Sequence, residues 1–190
     1  MRQVRAFTLL EVMVVLAIIG GLLAVVSLSG SNRQAEDQTA RLGQQLVTLF
    51  TAYQQEAIFQ NLDLGLAFQD QSLHLLSLQD IRNQEVNTNK TREELDALVK
   101  NPWQAYSGSL KKKLDIPDEI ELTLQVEGSE IELSQDKSDT GPKPVLVFLS
   151  ADEYSNFKMT LSHDDDPSFL VMIQGDGFNP PTIKMERFDE

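Results

Sequence analysis

The chain has 190 residues, no cysteine, two histidines and a formal net charge of −13. Without a thiol there is no disulfide and no thiolate metal site, although this says little about compartment, because many exported proteins also lack cysteine. Arg2 and Arg5 are the only charges in the first six residues, so the rest is more acidic still and repels phosphate backbones, which argues against nucleic acid as a partner.

The first element is the run Phe7–Leu28, FTLLEVMVVLAIIGGLLAVVSL, whose only charge is Glu11. As a helix its roughly 22 residues reach about 33 Å, enough to cross a hydrocarbon core. Arg2 and Arg5 precede it, which places Met1 in the cytoplasm and the remainder outside. Gly20 and Gly21 permit close helix packing there. Glu11 is the anomaly, since a carboxylate in an apolar span costs on the order of a few kcal/mol and calls for a partner. A cut after Ala6 would supply one, because Phe7 would then carry an ammonium group one helical turn before Glu11. The pairing is either with the chain's own amine or with that of a neighbouring copy, and only the second sets register between subunits. A cleavable signal peptide, with Ser27-Leu28-Ser29 as its small-residue site, explains the basic and apolar regions as well. So does a plain signal anchor. Neither accounts for Glu11.

The helical pattern then continues. Ala35, Leu42, Leu46, Leu49, Phe50, Tyr53 and Ala57 recur at spacings of three, four and seven, while Arg33, Gln34, Gln38, Gln44, Gln45 and Gln54 fill much of the remainder. The pattern predicts one helix from about Phe7 to about Gln60, with Ser29-Gly30-Ser31-Asn32 as a kink between its halves. The expected organisation is a leader at 1–6, a span at 7–29, an amphipathic continuation at 30–60 and a β-rich globular domain at 61–190.

Beyond Asn61 the periodicity changes. Leu62–Phe68 and Leu73–Leu78 read as a hairpin across Gln69-Asp70-Gln71-Ser72. Gln79–Lys113 is polar and irregular, except for a short helix over Thr91–Lys100 with Thr91 and Glu94 in capping-box spacing. Trp103 and Tyr106 fall in a loop. Packing over the core is favoured for both, with a partner contact as the alternative. Strands follow at Glu119–Val126 and Ser129–Leu133, joined by a turn at Glu127-Gly128. Further strands are expected at Val145–Leu149, Phe157–Leu161, Phe169–Ile173 and Thr182–Phe188. The expected class is α+β, a long N-terminal helix packed on antiparallel sheet.

Signatures of enzyme chemistry do not emerge. His74 and His163 stand far apart and outside metal-ligand spacing. There is no phosphate-cradling glycine loop and no nucleophile elbow. Asp164-Asp165-Asp166 offers oxygen ligands for Ca²⁺, but a solvated acidic turn is the favoured reading. Asp176-Gly177 reads as a plain turn, and Lys111-Lys112-Lys113 as a solvated patch. No catalytic residue, metal or cofactor is expected.

The segment Ala6-Phe7-Thr8-Leu9-Leu10-Glu11-Val12 resembles the processing motif of type IV prepilins and type II secretion pseudopilins, with Ala6 where the family usually has glycine. NLDLGLAF after the long helix, and PVLVFLSADEYSNFKMTL before a final strand pair, resemble the minor pseudopilin H family. Ser150-Ala151-Asp152-Glu153 stands there in place of a Pro-Ser-Gly-Glu-like turn. The resemblance implies cleavage between Ala6 and Phe7 by a prepilin peptidase, N-methylation of Phe7, and a role for Glu11 in assembly. It implies a single-pass protein of the bacterial inner membrane with a periplasmic domain. Its partners would be other minor pseudopilins and the major pseudopilin, and its role a linker between fibre tip and shaft in protein export. Two alternatives stand: a minor type IV pilin for surface fibres or DNA uptake, and a membrane-anchored binding or enzyme domain.

Overall fold

The computed structural model describes residues 9–80, 91–133 and 141–188, with backbone alone for 23–32. The first element, α1, is a single helix of 52 residues, Leu9–Gln60, helical throughout and unbroken at 29–32. It ends for an identifiable reason. Asn61 adopts φ +49, the N–H of Leu62 donates to the Ala57 carbonyl at 3.0 Å, and the N–H of Asn61 donates to the Ile58 carbonyl at 3.2 Å. This pattern reverses the chain and satisfies carbonyls the helix leaves open.

Among the described residues the strands form two antiparallel five-stranded sheets. The first contains β1 (Leu64–Gln69), β2 (Ser72–Leu78), β3 (Trp103–Ala105), β4 (Lys113–Asp115) and β7 (Leu146–Phe148), in the order β3-β2-β1-β7 with β4 also on β2. The second contains β5 (Ile120–Val126), β6 (Ser129–Ile131), β8 (Phe157–His163), β9 (Asp166–Gly175) and β10 (Thr182–Arg187), in the order β10-β9-β8-β5-β6. Alternation drives this second sheet. Along β8 the side chains of Phe157, Met159 and Leu161 are buried and Lys158, Thr160 and Ser162 are half-buried between them. The turn at Glu127-Gly128 has positive φ at both residues, the geometry that matches the twist of a two-residue hairpin.

The domain half of α1 joins the two sheets. Ala35, Leu42, Leu46, Phe50, Tyr53 and Ala57 are all buried, with Leu46, Phe50 and Ala57 fully so. Phe50 lies at the centre, its ring 5.9 Å from Phe148 of the first sheet and 5.5 Å, edge-on, from Phe157 of the second. Gly43 allows the close approach of the second sheet. A Cβ there would lie 2.7 Å from Ile183 Cδ1 and 2.8 Å from Val171 Cγ1.

The polar segment after β2 is more ordered than its composition suggests. The helix α2, Arg92–Lys100, starts on the capping box expected from Thr91 and Glu94. Its one buried side chain, Leu98, belongs with Ala67 and Leu76 to the buried apolar residues outside the main core. Contrary to the expected loop, Trp103 begins β3 and pairs with Leu78, and Leu114 pairs with Leu73 in β4.

Candidate assembly site

Two halves of α1 meet different surroundings. From Leu9 to Leu22 every side chain is exposed: Leu9 is 81% accessible, Met13 64% and Leu22 64%. No other element of the described chain covers them. A Cβ at Gly20 or Gly21 would meet nothing within 4 Å. Apolar surface left in water costs roughly 25 cal/mol per Å², so a helix apolar around its whole circumference requires lipid or other helices against it. Glu11 lies in the first turn of this half, where the positive end of the helix dipole favours a carboxylate. Among the described residues no helix is long and apolar enough to cross a membrane. The span expected at 7–29 includes Phe7, Thr8 and the side chains of 23–29, which lie outside the described residues. Ala6 and Phe7, the expected cleavage site, lie outside them too.

Trp103 and Tyr106 are placed by β3 and the residue after it. Tyr106 is buried. Its hydroxyl donates to Glu56 Oε1 at 2.5 Å and accepts from Gln60 Nε2 at 3.4 Å, tying the excursion after β3 to the end of α1. Burial, then the Glu56 carboxylate, pushes its phenol up to about 12. Trp103 is half-buried and packs over Gly65, where a Cβ would lie 2.8 Å from its ring. Packing therefore accounts for Tyr106 fully and for Trp103 in part.

Two polar residues sit differently from their sequence reading. Gln54 is not on the solvent face. It is buried, and its side-chain N–H group donates to Asp152 Oδ1 at 3.1 Å and to the Phe178 carbonyl at 3.3 Å. Asp166 is buried rather than solvated, accepting from the N–H of Ser168 at 3.0 Å and from its hydroxyl at 2.6 Å, which holds its carboxyl below the usual range. Asp164 and Asp165 remain exposed beside it, and among the described residues no three His, Cys, Asp or Glu side chains converge as for a metal ion. Exposed apolar residues of the domain that the sequence reading did not mark include Ile58, Phe59, Val99 and Phe178. The available signal was one of phase, since Ile58 and Phe59 fall off the stripe that ends at Ala57.

Residues 1–27 match the family described as the prokaryotic N-terminal methylation motif. The N-terminus of the chain carries that methylation motif. The match spans Ala6, Phe7, Glu11 and the whole exposed run Leu9 to Leu22. Over its whole length the chain is similar to the type II secretion system protein H of Pseudomonas aeruginosa strain PAO1, at 24% identity over 98% of this chain and 99% of the relative. Its fold is that of the minor pseudopilin EpsH from the type 2 secretion system of Vibrio cholerae. That likeness has a TM-score of 0.52 at 14% identity and covers 78% of this chain and 96% of the other. The shared fold is α+β, a long N-terminal helix against antiparallel sheets.

Proposed function

We propose that this protein is a minor pseudopilin, a structural subunit of a type II secretion fibre, built into the inner membrane and assembled through the exposed half of α1. The observation that carries this reading is the continuity of α1. One unbroken helix buries its second half in its own domain and presents a first half that no other part of the described chain covers. The methylation motif at 1–27 lies on that exposed half, and similarity to a type II secretion H protein extends from end to end. In this reading residues 1–6 are a cytoplasmic leader, 7–29 span the membrane, 30–60 continue the helix, and 61–190 form a periplasmic domain. A prepilin peptidase removes the leader between Ala6 and Phe7, and Phe7 is methylated. The new amine and Glu11 then provide opposite charges one helical turn apart, so pairing between neighbours staggered along the fibre offsets the cost of burying each. Small and apolar residues, Gly20 and Gly21 among them, give the helix packing that holds subunits together. The partners are other minor pseudopilins and the major pseudopilin. No catalytic step is assigned.

The test is intact mass and N-terminal analysis of the protein extracted from membranes. The expected mature chain begins at N-methyl-Phe7. Ala6→Leu should leave the precursor uncut, because a peptidase must approach the backbone closely there. A mature N-terminus at Gly30, or retention of Met1, would contradict the reading in favour of a signal peptide or a plain anchor.

A further inference from the structure

The first charge beyond Glu11 is Arg33, and it stands on the outer flank of the apolar run. Cations near a span favour its cytoplasmic side, so an arginine here runs against that bias and calls for a use. At 1.5 Å per residue Arg33 lies about 7.5 Å beyond Leu28, and side chains on a helix lean back toward its N-terminus. In the membrane reading this puts the guanidinium among the lipid headgroups, which add roughly 5–7 Å to each side of the hydrocarbon core.

Arg33 opens onto a trough of about 630 Å³ between α1 and the link from β4 to β5. Arg33, Gln34, Asp37 and Arg41 line it from the exposed side of the helix, and Asp115 and Pro117 from the link. Both signs of charge are present at this end of the domain. Arg187 is ion-paired to Glu36, and Lys113 to Asp115 at 2.7 Å, where the Ser72 hydroxyl also donates at 2.8 Å. Asp118 and Glu119 are exposed just beyond Pro117. Among the described residues Arg33, Asp37 and Arg41 take part in no ion pair. Arg33 and Asp37 stand one helical turn apart, in the order less favourable for pairing with each other.

We propose that Arg33 and Asp37 hold one zwitterionic phospholipid headgroup of the periplasmic leaflet, its phosphate on Arg33 and its primary ammonium on Asp37. The order of the groups carries the argument. A phosphatidylethanolamine headgroup runs outward from the hydrocarbon to a phosphate, then two carbons, then an ammonium. The helix runs outward from Leu28 to a cation and then, one turn on, to a carboxylate, with about 5–6 Å between Cβ atoms. The guanidinium offers a fork of N–H donors to phosphate oxygens, and the carboxylate accepts from the ammonium. A headgroup with a phosphate and no cation would meet Asp37 and the acids around it, and a quaternary ammonium has no N–H to donate. Arg41 lies roughly 12 Å farther out than Arg33, past the headgroup layer, and takes no part. This rests on the membrane reading above and adds to it a lipid partner that fixes the depth and rotation of α1 in the bilayer.

The experiment inserts the full chain into nanodiscs of equal parts phosphatidylethanolamine, phosphatidylglycerol and phosphatidylcholine. Native mass spectrometry then reads which lipid stays on the released protein. One retained phosphatidylethanolamine, in preference to the other two, is expected. Arg33→Gln should cut that retention about ten-fold, the size of one charge-assisted contact. Asp37→Asn should abolish the preference for phosphatidylethanolamine over phosphatidylglycerol while lipid is still held. Arg41→Gln should match the parent, and all three variants should keep its melting temperature. Equal retention of the three lipids, a preference that survives Asp37→Asn, or a loss from Arg41→Gln as large as that from Arg33→Gln overturns the headgroup contact and leaves the membrane reading intact. So does lipid retention indifferent to Arg33→Gln, which together with reduced fibre incorporation would assign the trough to a neighbouring subunit. A chain that does not enter the bilayer overturns both.

Discussion

The exposed and buried halves of α1 are one helix with one backbone geometry, yet they depend on different surroundings. Between Ala35 and Ala57 the apolar residues form a stripe, and the chain supplies the surface that covers it: Val171 and Ile183 against Gly43, Phe148 and Phe157 against Phe50. Between Leu9 and Leu22 the apolar residues run all round, and the described chain supplies no cover. A stripe specifies one internal partner, whereas a fully apolar cylinder specifies an apolar medium. The sequence therefore encodes two kinds of burial along one element, and the dividing line falls between Leu22 and Ala35.

Cutting the molecule at that line tests the division most severely. A chain beginning at Asn32 should lose membrane association completely. It should keep a cooperative thermal transition within a few degrees of that of the full chain in detergent. A disordered product would show that the first half of α1 contributes to folding the domain. Damage confined to the second half should do the opposite. Phe50→Ala removes the ring that touches both sheets and leaves a cavity, with an expected loss of about 3–5 kcal/mol in denaturant unfolding, while insertion in the membrane persists. A loss below about 1 kcal/mol would mean that the sheets hold each other without the helix.

The smallest expected effect is electrostatic and belongs to the domain alone. Hydrogen bonds from Asn179 and Phe178 hold the Asp176 carboxyl down at about 2, below the unfolded value of about 3.9. A depressed carboxyl stabilises the fold above its unfolded value, and this contribution disappears as pH falls from about 4 toward 2. Asp176→Ala should flatten that part of the stability profile and leave the profile above pH 5 parallel to the parent. An unchanged acid limb would remove Asp176 from the account of the β9–β10 turn.

Legibility followed the range of the interactions. The long helix, the β1–β2 hairpin, the Thr91 capping box and the Glu127-Gly128 turn are local, and the residues within a few positions announce them. The two short strands β3 and β4 were not visible, because three residues carry no period and they are strands only by virtue of lying along β2. Gln54 looked like a solvent-facing residue because its partners, Asp152 and Phe178, lie 98 and 124 positions away. The division into two sheets was hidden for the same reason, since it depends on which strands Phe50 brings together. On the assembly side, Glu11 stood out because a lone charge in an apolar run is anomalous without any structure. Ile58 and Phe59 did not, because exposed apolar residues acquire meaning only once the stripe they depart from is known to be covered.

The central claim is that the exposed half of α1 is an assembly surface whose register Glu11 sets. Its most direct measurement compares Glu11→Ala with the parent in the full chain, scoring N-terminal processing and incorporation into the fibre separately. The account predicts normal insertion and cleavage before Phe7, because the substitution removes a charge from the apolar run, together with incorporation reduced to a small fraction of the parent's. Incorporation equal to the parent's would contradict it.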